Sequence, residues 1–85
     1  MSALDYIYSN NLAAFKASLP LYSAEYKSTL MFQAIVYRRS AFVGLLLTCG
    51  VDPVPFQTYV QERIVSASDD GERAVFEIIE ALLKS

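Results

Sequence analysis

The residues of this chain that could do chemistry are few, and one kind is missing. There is no histidine, which removes the commonest general base, the usual activator of serine and cysteine nucleophiles, and the commonest metal ligand. Glu77 and Glu80 share a helical face at i, i+3 spacing, and Asp69-Asp70 stand just ahead of a helical stretch. Carboxylates at a helix N-terminus ordinarily serve the macrodipole and capping, and a catalytic pair needs a cleft that nothing in the pattern indicates. Cys49, the single cysteine, falls in the last turn of the most apolar segment, where a buried structural thiol is expected rather than a nucleophile. Zinc would find only that thiol and carboxylates. The three glycines, Gly44, Gly50 and Gly71, are scattered and form no phosphate-cradling loop. The expectation is a protein that is not an enzyme, with no catalytic residue, no cofactor and no metal.

Charge narrows the partners. The formal net charge is -2, with a pI near 4.9, whereas a nucleic-acid binder normally shows a basic patch or stripe. Arg38-Arg39 is the only adjacent basic pair; the reading is two solvated arginines at a helix end, with a helix-turn-helix around them as the less favoured alternative. No apolar run approaches the roughly 18–20 residues that cross a bilayer, and Ala41 to Leu47 is the longest strongly apolar block. The start, Met1 to Asp5, lacks the basic residues and apolar stretch of a secretory signal. One cysteine excludes an internal disulfide and fits a reducing compartment. The expected location is cytoplasmic, away from membrane and nucleic acid.

The elements behind these residues read as helices. With 85 residues, 54% of them hydrophobic and 19% charged, the chain is one domain, 1–85, able to build a core. Breakers recur at Asn10-Asn11, Pro20, Ser40, Gly50 with Pro53 and Pro55, and Asp69-Asp70-Gly71. Between them apolar residues keep helical spacing. Leu4, Ile7 and Tyr8 mark a first helix, and Leu12, Phe15 and Leu19 a second. Ser23 to Tyr37 carries Tyr26, Leu30, Met31, Ala34 and Ile35; Ser40 to Cys49 carries Phe42, Val43, Leu45 and Leu46. Ser40 is placed as an N-cap and Gly50 at a C-cap of positive φ. A fifth helix starting near Pro55 carries Tyr59, Val60, Ile64 and Ala67, and a sixth, Gly71 to Lys84, carries Val75, Ile78, Ile79 and Leu82. Short connections imply three helix hairpins.

The segment Thr29 to Pro53 reads TLMFQAIVYRRSAFVGLLLTCGVDP. It resembles an ankyrin repeat, T-P-L-H-x-A followed by an apolar helix ending in L-L-L-x-x-G-A-D. The matches are Thr29, Met31, Ala34, Phe42-Val43, Leu45 to Leu47, Gly50 and Asp52. A second unit follows at an offset of 33, pairing Arg38 with Gly71, Met31 with Ile64, Ala34 with Ala67, Phe42 with Val75, Leu45 with Ile78 and Leu46 with Ile79. A shortened first unit places Asn10 at its turn, 28 residues before Arg38. Leu30 and Phe32 replace the family's proline and histidine, and Arg38 its turn glycine. The resemblance implies an all-α fold, a short ankyrin-like stack of three antiparallel helix pairs; an irregular six-helix bundle is the alternative.

What remains is an excess of aromatics, six tyrosines and five phenylalanines. Not all can be buried, and tyrosine is favoured at recognition surfaces. The resemblance implies a binding face made from the outer side of each first helix and the loops between units. Its candidate partner-binding residues are Tyr8, Tyr22, Val36, Tyr37, Phe56, Gln57, Asp69 and Asp70. The expected function is a non-enzymatic protein-binding module. A single small domain suits blocking one partner, as stoichiometric inhibitors and the immunity proteins of toxin pairs do. The alternative is a self-associating helical protein, for which a homodimer is the signature.

Overall fold

The structure, a computed structural model, describes residues 3–84, so Met1 and Ser2 of the N-terminal reading lie outside it. It is all-α: α1 Ala3–Ser9, α2 Leu12–Ser18, α3 Ala24–Val36, α4 Ser40–Thr48, α5 Val54–Ser66 and α6 Asp70–Lys84, with a 3-10 turn Leu19–Leu21 extending α2. No strand occurs among the described residues. No helix among them is long and apolar enough to cross a membrane.

Helices as short as α1 and α2 are unstable alone, so their ends and neighbours must hold them. Side-chain oxygens start several of them. Asn11 accepts from the Ala14 amide at 3.2 Å and Ser23 from the Tyr26 amide at 3.1 Å. Asp69 accepts from the Gly71 amide at 2.9 Å. Each satisfies one of the amides that a helix N-terminus leaves without an intrahelical acceptor. Ser40 does not act as a cap: it is the first residue of α4, and Arg39 occupies the cap position without a side-chain bond there.

Three helix ends are closed by left-handed residues, Asn10 (φ 59), Arg38 (φ 58) and Gly50 (φ 93). At each, two amides return to the last turn: Asn10 to Ile7 and Asn11 to Tyr6, Arg38 to Ile35 and Arg39 to Ala34, Gly50 to Leu47 and Val51 to Leu46. This is the Schellman pattern. The first two turns correspond residue for residue at the offset of 28 expected from sequence. The third hairpin departs from it. Gly71, expected at the turn equivalent to Arg38, lies in the first turn of α6. The Asp69 cap starts the helix earlier, and α5 ends on an extended Ala67 whose carbonyl accepts from the Arg73 guanidinium at 3.1 Å.

Consecutive helices pair, α1 with α2, α3 with α4, α5 with α6; α1 lies on α3, α2 on α4, and α4 on α6. One core runs through all three pairs and includes Ile7, Phe15, Leu30, Met31, Ile35, Phe42, Leu46, Val60 and Ile79. Phe15 and Phe42, with centroids 4.7 Å apart, join α2 to α4. Three assignments change, the first being Leu12 of α2, which is exposed. The core side of α6 is Phe76, Ile79 and Leu83, whereas Ile78 is exposed and Val75 and Leu82 are half-buried, because α6 packs chiefly on α4 and α5. Cys49 is exposed rather than buried. The last residue of α4 is Thr48, which leaves Cys49 at the C-cap.

A Cβ added at Gly50 would meet nothing within 4 Å, so Gly50→Ala should cost only the backbone term, about 1–2 kcal/mol. Phe42→Ala should cost about 3–5 kcal/mol through lost transfer energy and a cavity. Urea denaturation of the two variants should return this order.

Candidate partner-binding face

The outer surface of the first helix of each pair carries the aromatic residues that the core leaves out. Tyr37 follows the last residue of α3 and lies against Tyr8 at the end of α1, ring centroids 4.6 Å apart. One turn back along α3 from Val36 is Phe32, 5.0 Å from Tyr59 of α5. Tyr8, Tyr37, Val36, Phe32 and Tyr59 thus form one band across α1, α3 and α5. The first four are exposed at 46%, 42%, 38% and 39% respectively; Tyr59 is half-buried against the core. The two ring contacts bridge neighbouring helices, so the band is built from fixed rings rather than loose side chains.

The turn beside Tyr37 holds the band in place. Arg39 donates from Nε to the Ile7 carbonyl at 3.0 Å and from Nη2 to the Tyr8 carbonyl at 2.9 Å, tying α1 to the second pair. Arg38 reaches the other way, to Glu72 of α6 at 3.7 Å, and Arg63 of α5 meets the same carboxylate at 3.7 Å. Arg39 is therefore a fastener between pairs, while Arg38, half in solvent, adds an exposed ion pair. Sequence spacing could not reveal this, because their acceptors lie about 30 residues away in either direction. Tyr8 titrates above the usual tyrosine value, chiefly through its hydrogen bond with Tyr37, with smaller contributions from desolvation and the charges of Tyr37 and Asp5.

The eight sequence candidates divide between two ends of the molecule. Tyr8, Val36 and Tyr37 belong to the band. Asp69 and Asp70 share its end through the Arg38–Glu72 contact, but Asp69 caps α6 and Asp70 lies 3.9 Å from Arg73. Tyr22, Phe56 and Gln57 sit at the opposite end, separated from Tyr37 by the length of α3, roughly 20 Å at 1.5 Å per residue. Tyr22 packs edge-on against Tyr26, Phe56 packs on the core, and Gln57 donates to the Leu83 carbonyl at 3.1 Å. These three hold helices together.

Phe32 and Tyr59 were not among the candidates. Phe32 was within reach of pattern reasoning, being one turn from Val36. Tyr59 was not, because its spacing with Val60 and Ile64 places it on the core stripe. Exposed Cys49 lines a separate depression of about 280 Å³ with Lys27, Ser28, Asp52 and the backbone around Gly50. Comparison with protein-family models, with characterised proteins and with solved structures finds no match for this chain.

Arg39→Ala removes one part-buried and one exposed bond to helix-end carbonyls and should destabilise by about 1–3 kcal/mol, whereas Arg38→Ala breaks an exposed ion pair and should cost about 1 kcal/mol or less. Chemical denaturation distinguishes them. Tyr37→Phe should bring the Tyr8 titration, followed by ultraviolet absorbance, down toward its ordinary value. Because folding raises the pKa of Tyr8, its contribution to stability is present below pH 10 and is lost as the pH climbs through the raised value.

Proposed function

We propose that this chain is a non-enzymatic protein-binding module, using the band Tyr8–Tyr37–Val36–Phe32–Tyr59 to cover part of one partner protein. The observation that carries the reading is the exposure of four large apolar side chains that are held by ring contacts and a bonded turn. An isolated exposed apolar residue is ordinary, but a contiguous rigid patch marks an interaction surface. Preorganised rings bind without the entropic cost of ordering them.

The ankyrin-like reading is part of this proposal. Its supports are the stacking of α1 on α3, of α2 on α4 and of α4 on α6, and the matching left-handed turns at Asn10 and Arg38. In such stacks the outer side of the first helices is the binding face. A molecule with principal extents of 35 × 25 × 17 Å acts by occupying a surface, which makes stoichiometric blocking, of the inhibitor or immunity kind, the mode of action we favour. Self-association is the second reading, favoured by the exposure of Leu21 and Val65 outside the band.

Capture of partners by the tagged chain, compared with Phe32→Ala and Tyr37→Ala variants, tests the proposal. The expected result is one partner at equal stoichiometry, with affinity falling about 30-fold or more in each variant, as for an interface hot spot. Unchanged affinity in both variants would remove the band as the binding face. A concentration-dependent homodimer in light scattering, with no captured partner, would favour self-association.

A further inference from the structure

The surroundings of the band specify the charge of what covers it. Each first helix carries one exposed carboxylate beside the aromatic residues: Asp5 one turn before Tyr8, Glu25 two turns before Phe32, and Glu62 one turn after Tyr59. Spacings of three and seven residues put each carboxylate on the helix face that presents the ring. The cations are placed differently. Arg39 and Arg73 hold helix-end carbonyls, and Arg38 and Arg63 share Glu72 at the edge of the band. Lys84 pairs with Glu80 on α6, Lys16 is on α2, and Lys27 lines the depression beside Cys49. The centre of the first-helix surface is therefore aromatic, and its border is acidic on balance, with Asp5, Glu25, Glu62 and Glu72 against Arg38 and Arg63.

We infer that the occupant of this band is a basic segment of a partner protein, an apolar stretch flanked by arginine or lysine. This rests on the band being the binding face. Guanidinium and ammonium groups are attracted to ring faces, and carboxylates spread over three helices add a field that speeds encounter and selects for positive partners. A second copy of this chain fits poorly. It would set Asp5, Glu25 and Glu62 against acidic surface of its own kind. The area is also small: four side chains about two-fifths exposed, with a half-buried fifth, offer on the order of 300–400 Å², against about 800 Å² per partner in a stable interface. A span of three helices, roughly 20 Å at 8–10 Å between axes, suits a short segment.

The test uses the full chain and two fluorescein-labelled 14-residue peptides of one amphipathic pattern, one of leucine and lysine, the other of leucine and glutamate, read by fluorescence anisotropy. The leucine–lysine peptide should bind and the leucine–glutamate peptide should not. Glu25→Gln with Glu62→Gln should weaken binding about tenfold. Glu77→Gln with Glu80→Gln removes the same charge from α6, off the band, and should leave the affinity within twofold. Equal weakening by both pairs would reduce the effect to net charge and overturn the inference, as would failure of the leucine–lysine peptide to bind. Binding of the leucine–glutamate peptide, weakened by Phe32→Ala or Tyr37→Ala, would overturn the basic partner and keep the band. Leucine–lysine binding indifferent to Phe32→Ala and Tyr37→Ala would overturn the band itself, and the inference with it. Circular dichroism confirms that each variant is folded.

Discussion

A chain divided into six short helices has many helix ends, and each leaves backbone groups that need partners outside the helix. Here the middle turn, Tyr37 to Arg39, meets that need for more than its own pair. Arg38 takes a left-handed conformation so that two amides can return to Ile35 and Ala34. The same reversal sends Arg39 back to the carbonyls of α1 and Arg38 forward to Glu72 on α6. Three helix pairs with modest cores are thereby referenced to one point. A non-glycine residue at positive φ is strained; at Arg38 (φ 58) the chain accepts that strain and keeps an exposed ion pair to Glu72 that a glycine could not make.

The aromatic band follows from this arrangement. Fastening α1 to the turn fixes the end of α1, where Tyr8 meets Tyr37. The corresponding contact across α3 and α5 is made by Phe32 and Tyr59. Part of each ring stays in solvent while the ring packs on its neighbour. The side chains that join neighbouring helices are also the ones left partly in solvent, and a rigid surface is the result. The other end of the molecule shows the contrast: there Tyr22, Phe56 and Gln57 are spent on packing and on closing α6.

Much of the fold was legible because helical periodicity and breakers are local signals. Ala34 is buried between helices, Gly50 closes α4 at positive φ, and Asn10 and Arg38 occupy equivalent turns. The failures share a cause. Ile78 and Leu12 have the spacing of core residues but lie at the margins of the stack, and Cys49 was assigned by the apolarity of a helix that ends one residue before it. Periodicity identifies an apolar face; it does not say how much of that face a neighbour covers.

The amino-acid sequence alone determined that the chain is helical, where its helices break, that histidine chemistry is absent and that the balance of charge is acidic. These depend on residue type and on spacings of a few residues. Tertiary structure decided which tyrosines remain in solvent, that Phe32 and Tyr59 join Tyr8 and Tyr37, and that Arg38 and Arg39 reach other helix pairs in opposite directions. Those outcomes depend on groups about 30 residues apart along the chain, whose meeting is set by how the pairs stack.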